Sequence, residues 1–237
     1  MADTPSGAGR FTLFLGIAAA AGLVFGPFLT RFEVIPPMAG FAAFALGGLL
    51  GVITFVVGLI GAARRGVVSA GPVLVVGLLV SGVFMSVVVP TRSLPRINDI
   101  STDILNPPQF VIADSLPGNQ GRDMRYPGKE FAEQQRRSYP QLEGLKINAP
   151  PQQVFQHVVA TAREMPDWEI TRNDSAARAL EAVSTSKWFR FKDDLVIEVR
   201  ADNGGSIVQM RSKSRNGKGD AGANATRIKA FFAKLEG

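Results

Sequence analysis

Residues 39–63 read AGFAAFALGGLLGVITFVVGLIGAA, twenty-five positions without one charged side chain. At 1.5 Å rise per residue, about 20 helical residues cross a hydrocarbon layer roughly 30 Å thick. A buried helix of a water-soluble domain rarely runs so far without a charge. Residues 11–30 on one side and 66–91 on the other are equally free of charge. Three such runs in succession predict three transmembrane helices, over about 11–30, 39–63 and 69–90. Arg10 followed by apolar and small residues also has the look of a signal peptide. The apolar run continues through Leu23, Val24 and Phe25, past any cleavage region at 18–21, which favours a span.

The chain divides into two halves made for different solvents. Of 26 basic and 20 acidic residues, the first 90 positions hold only Asp3, Arg10, Arg31, Glu33, Arg64 and Arg65. The hydrophobic fraction of 46% is therefore an average over unlike halves, an anchor over 1–91 and a domain over 92–237. No ionisable side chain lies inside a span, so the sequence offers no ion or proton pathway, and an anchor is favoured over a transporter. Gly22 and Gly26, Gly47 and Gly51, and Gly77 and Ser81 repeat at four-residue spacing, which lets helix backbones approach closely. Arg10 and the Arg64–Arg65 loop fall on one side of a three-span topology. The positive-inside rule makes that side cytoplasmic and puts the C-terminal domain outside, against a mild contrary pull from Arg92 and Arg96. The localisation expected is a bacterial inner membrane, multi-pass, with the domain periplasmic.

The chain has no cysteine and one histidine. That excludes disulfides, thiolate nucleophiles, Cys-based metal sites and any site needing two imidazoles. No metal and no cofactor is expected.

Residues 91–140 are rich in Pro and Gly and poor in periodicity. They predict an extended segment along the domain, with a short helix near 128–137. Ile100, Ile104, Phe110, Val111 and Ile112 are more apolar residues than a free linker needs. From Leu142 the pattern is regular. A short strand at 142–147 leads to a helix opened by Pro150–Pro151, with Val154, Val158, Ala162 and Met165 on one face. Strands follow over 168–172, 180–185, 195–200 and 206–214, with a hairpin signal at Asp202-Asn203-Gly204-Gly205. A final helix over about 220–235 carries Ile228, Phe231, Phe232 and Leu235. The fold class predicted is three N-terminal transmembrane α-helices plus a C-terminal α+β domain, an antiparallel sheet of four to five strands with two helices on one face.

The main polar candidates lie between the last strand and the last helix. Period two puts Ser212 and Ser214 on the core side with Val208 and Met210. Asp220 is a good N-cap, and Asp220, Asn224 and Arg227 fall on one helical face. Ser212, Ser214, Arg215, Gly217, Asp220, Asn224 and Arg227 are thus a candidate binding site near a helix N-terminus. The competing reading makes them a cap and its hydrogen-bond partners. The bases Arg211, Lys213, Arg215 and Lys218 have no interleaved aromatics, which argues against nucleic acid. Asn98, Asp99, Ser101, Thr102 and Asp103 supply side-chain oxygens that suit a cation or, more commonly, Asx and Ser/Thr turns. Asp193 and Asp194 suit an acid–base pair only outside a strand, where neighbours diverge; a turn before Leu195 is the expectation. His157, on the polar flank of its helix, is expected to be solvated.

Several of these stretches resemble one family. They are Asn98-Asp99-Ile100-Ser101-Thr102-Asp103 with Asn106-Pro107-Pro108, the Tyr126-Pro127 and Tyr139-Pro140 steps, and Arg190-Phe191-Lys192-Asp193-Asp194. The last and most specific is Ser212-x-Ser-Arg-x-Gly-x-x-Asp-x-Gly-x-Asn-x-x-Arg-Ile228. Together they resemble the domain-of-unknown-function family number 1499, over about residues 92–235. Lys218-Gly219 departs from the small residue or Ser that relatives often carry before Asp220. The resemblance implies an envelope-associated bacterial domain, with relatives in plastids, and supplies no activity, cofactor or catalytic residue.

The leading expectation is a domain that binds a ligand, a lipid, an envelope component or a membrane-protein partner. One alternative is a hydrolase using Ser212 or Ser214 with Asp220 and Arg227, which lacks a base and a nucleophile elbow. A second is a purely structural domain of a membrane assembly.

Overall fold

A computed structural model of the chain describes residues 7–237. Asp3 and the Arg65 side chain, both used in the charge reading above, lie outside the described residues. The described residues form two compact units: 7–93 with Lys187–Arg190, and Leu94–Ser186 with Phe191–Gly237.

The first unit is built on α1 (Gly7–Arg31), α2 (Pro37–Arg65) and α3 (Val67–Val88). All three are long and apolar enough to cross a membrane. Their outward faces carry Leu46, Leu49, Ile53, Leu78 and Leu79, all at least half exposed. Helices apolar on every side need a lipid or protein environment, because water would leave this surface unsatisfied. The small-residue spacing has a direct consequence in packing. A Cβ on Gly47 would lie 2.6 Å from the Ala19 carbonyl oxygen and the Leu23 nitrogen of α1. One on Gly77 would lie 2.4 Å from the Phe55 nitrogen of α2. These contacts are backbone to backbone, so no side chain can move aside. The Thr30 and Thr54 hydroxyls donate to the carbonyls of Gly26 and Leu50 one turn back, so neither enters the apolar layer unbonded.

The second unit is an antiparallel sheet with α5 (Pro151–Arg163) and α6 (Ala223–Glu236) on one face. Its strands are β1 (Asp99–Ser101), β2 (Leu145–Ile147), β3 (Trp168–Asp174), β4 (Ala179–Thr185), β5 (Lys192–Asp202) and β6 (Gly205–Ser214). The order is β1-β6-β5-β4-β3, and β2 shares the free edge of β6 with β1. Six strands replace the four to five expected. The addition is β1, whose three residues show no alternation because both faces are covered: Asp99, Ile100 and Ser101 are all buried. The Asn-Gly signal is realised as a two-residue turn, with Asn203 at φ 43° and Gly204 at φ 87° between the paired Asp202 and Gly205.

The core lies between sheet and helices. Val154, Phe155, Val158 and Ala162 of α5 and Ile228, Phe231 and Leu235 of α6 meet Leu180, Leu195, Ile197, Val208 and Met210. Trp168 stacks on Phe231 with ring centroids 5.3 Å apart.

The other face of the sheet is covered by the segment between β1 and α4 (Lys129–Ser138). Glu181 of β4, fully buried, draws it down. Its carboxylate accepts from the backbone N–H groups of Val111 (2.9 Å), Ile112 (3.2 Å) and Ala113 (3.1 Å), and from Arg172. The proline-rich stretch thus lies along the domain as its apolar content implied. Buried charge holds it at Glu181, while Ile104, Phe110 and Ile112 are partly covered and Leu105 and Val111 remain exposed.

Candidate functional site

The primary candidates separate into two groups on opposite faces of β5 and β6. Ser212 and Ser214 face the helices, opposite Leu195 and Asp193 of β5. The Ser212 hydroxyl donates to Asn224 Oδ1 at 2.5 Å. Arg227 Nη1 donates to the Ser212 hydroxyl (2.9 Å) and to Asn224 Oδ1 (2.7 Å). Asn224 Nδ2 donates to the Ser214 hydroxyl (3.0 Å) and to the Asn98 carbonyl (3.2 Å). The outer arm of Arg227 ends on Asp193 Oδ2 at 2.5 Å. Ser212 and Asn224 are fully buried, and the Arg227 side chain keeps 12% of its surface. The Ser212 and Ser214 hydroxyls and both amide atoms of Asn224 have partners inside the cluster, as low-dielectric surroundings require.

Asp220 is outside the final helix, which begins at Ala223 after Gly222 in the left-handed conformation. The expected helical stacking of Asp220 on Asn224 and Arg227 is corrected accordingly. Asp220 still serves the helix start, because its carboxylate accepts from the N–H groups of Gly222 and Asn224, both at 2.9 Å. Burial pushes its carboxyl pKa up, against these two bonds. Gly217 contributes only its carbonyl, which accepts from Asn98 Nδ2 at 2.7 Å.

Arg215 belongs to the other face. Its guanidinium meets Asp194 at 2.7 Å and donates to the Pro117 carbonyl. Asp194 also accepts from Asn119 at 2.9 Å, and Arg122 stands 3.5 Å away. Asp193 and Asp194 lie within β5 and not in a turn. They point to opposite faces, one to Arg227 and one to Arg215, and cannot act as a pair.

Further along that face is the charge cluster of β1 and β6. Asp99 binds Arg211 through two bonds of 2.8 Å and Lys213 through one of 2.7 Å. Arg211 and Asp99 side chains are wholly buried. Arg211 also donates to the carbonyls of Pro108 and Met124 and lies over the rings of Phe110 (4.8 Å) and Tyr126 (5.5 Å). Ser101 exchanges two bonds with Gln135 of α4 through its N–H and carbonyl. The Thr102 hydroxyl donates to Gln209 and accepts from the Met210 N–H. Asp103 makes the Asx turn expected, accepting from Leu105 and Asn106, and pairs with Arg200 at 2.7 Å. The side-chain oxygens of Asp99, Ser101, Thr102 and Asp103 are thus engaged by the protein's own donors. Among the described residues no three His, Cys, Asp or Glu side chains are grouped to hold a metal ion. An open groove on α4, lined by Glu130, Glu133, Gln134, Arg137 and Ser138, includes none of the candidates. His157 is exposed.

Sequence reasoning missed Glu181, the buried pairing of Arg211 with Asp99, and the role of Asp193. Strand register was the available signal. Once β5 and β6 pair from Asp202–Gly205, Asp193 must stand beside Ser214 and Asp194 beside Lys213.

A scan of protein families matches residues 99–235 to the family described as "Protein of unknown function (DUF1499)". The match covers more than half of the chain and takes in both polar clusters, and the chain belongs to that family. No curated protein matches, and no solved structure matches.

Replacing Asp99 by Asn leaves Arg211 and Lys213 charged and buried with no counter-ion. The expected loss is about 3–5 kcal/mol of domain stability, read by urea unfolding of the full chain in mild detergent. Asp123→Asn, at an exposed pair with Arg125, should leave the midpoint in place. Equal midpoints for the two variants contradict the assignment.

The raised pKa of Asp220 fixes a sign. A carboxyl raised on folding adds stability that is full below its unfolded value and is lost as pH rises through its folded value. Wild type should therefore gain on Asp220→Asn as pH falls from 7 toward 4. Paired unfolding curves across that range check it, and a gap that moves the other way overturns it.

Proposed function

We propose that this is a multi-pass protein of a bacterial inner membrane. Residues 1–91 form its anchor, and residues 92–237 form an extracytoplasmic domain that binds a partner rather than transforming a substrate. The coarse part of this rests on the three apolar helices. The orientation rests on Arg10, Arg64 and Arg65 lying on one side of the spans.

One observation carries the preference for binding over hydrolysis: the Ser212 hydroxyl donates to an amide oxygen, Asn224 Oδ1. An amide has no useful proton affinity near neutral pH. Asp193, the carboxylate opposite Ser214 across the strands, is held by Arg227. A serine nucleophile needs a base within hydrogen-bond reach, and this hydroxyl is committed to a group that cannot serve. On this reading the cluster is the underside of the recognition surface. The exposed turn 216–219, with Gly217 and Lys218, runs from β6 toward α6 and is tied back where Asn98 Nδ2 donates to the Gly217 carbonyl. Its partner is a lipid, an envelope component or another membrane protein.

The internal saturation of the cluster also favours a second reading, a structural domain of a membrane assembly. There the same bonds only fix α6 to β5 and β6.

Alkaline phosphatase fused after Gly237 should be active in cells. An inactive fusion, with a fluorescent protein at the same place folding normally, contradicts the orientation. Native mass spectrometry of the full chain, purified in mild detergent, should show a retained lipid or partner that Lys218→Glu releases. A bare chain in the gentlest detergents contradicts binding.

A further inference from the structure

The loop between β4 and β5 reads Lys187-Trp188-Phe189-Arg190, two aromatics enclosed by two bases. These four residues belong to the same compact unit as the three apolar helices. Phe189 sets its ring edge-on to Phe44 (5.6 Å) and Phe41 (5.5 Å), in the first turns of α2. Arg190 pairs with Glu33 at 2.8 Å, and Arg31 Nη1 donates to the Lys187 carbonyl at 3.1 Å. Arg31 ends α1 and Glu33 lies in the turn before α2, where the chain leaves one apolar helix and enters the next. The loop is thereby fixed at the level where the helical unit changes from apolar to charged.

Trp188 uses none of these contacts for cover and stays 53% exposed, with Lys187 Nζ 5.9 Å from its ring centroid. A large exposed indole on a rigidly fastened loop is unusual for a surface that meets water alone. At the end of a membrane-spanning bundle its chemistry has a natural partner. The ring is apolar enough for the upper acyl chains, its N–H seeks an acceptor, and headgroup phosphates supply one. The Lys187 ammonium reaches the same phosphates.

We infer that Lys187–Arg190 is a membrane-interface anchor, with Trp188 seated among phospholipid headgroups and Lys187 on their phosphates. This rests on the helices spanning a bilayer, which flotation of the protein with vesicles tests separately.

Trp168 and Trp188 are the two tryptophans of the chain, and Trp168 is partly buried, stacked on Phe231 against the core. The full chain carrying Trp168→Phe is reconstituted into phosphatidylcholine–phosphatidylglycerol vesicles and shown to float with them. Its emission should be largely lost when the lipids carry bromine close to the headgroup, and should resist iodide in the water. Should Trp168→Phe fail to fold, the difference between wild type and Trp188→Phe reports the same residue with the core intact. Emission untouched by brominated lipid and quenched by iodide, in protein that floats, overturns the anchor while leaving the membrane reading in place.

Discussion

Arg211 lies wholly inside the domain, and its charge is tolerable there because Asp99 meets it through two bonds of 2.8 Å. An unpaired guanidinium in that position would be strongly destabilising. The pair sets what must happen around it. Asp99 must enter the sheet, so β1 forms beside β6. The arginine's remaining donors must be met, so the chain from Pro108 to Met124 folds back across the sheet and presents its carbonyls. Glu181 and Asp194 repeat the device at two further points, one holding backbone N–H groups and the other Arg215 and Asn119. A segment with little periodic apolar pattern is thereby given a defined course.

This explains which parts of the fold were legible. The three long apolar helices, the α5 and α6 faces and the Asn203–Gly204 hairpin each depend on local pattern, and each appears where the pattern puts it. β1 depends on one distant partner, since Asp99 pairs with a residue more than a hundred positions away. Nothing near Asp99 announces that. The row of Ser212 and Ser214 was legible from period two, and so was their meeting with Asn224 and Arg227. The place of Arg215 was not, because it follows β6 and its direction is decided by Asp194. Asp220 was read as a helix residue because its spacing to Asn224 and Arg227 suits a helix. Gly222 in the left-handed conformation breaks that spacing while leaving the cap bonds in place.

Both polar clusters share a property that bears on function. Their hydroxyls, amides and carboxylates are engaged mainly with one another, under a sheet face or beneath the start of α6. The family-matched region of residues 99–235 contains both. Their bonds therefore serve first to join α6 to β5 and β6 and to hold the covering segment on the sheet.

The central claim is that buried charge locks the segment between β1 and α4 onto the sheet. Hydrogen exchange of the full chain in detergent tests it at the amides of Val111, Ile112 and Ala113, which donate to Glu181. The account predicts exchange as slow as that of the β5–β6 amides, opening only with the whole domain. Exchange as fast as that of the exposed 202–205 hairpin turn would contradict it.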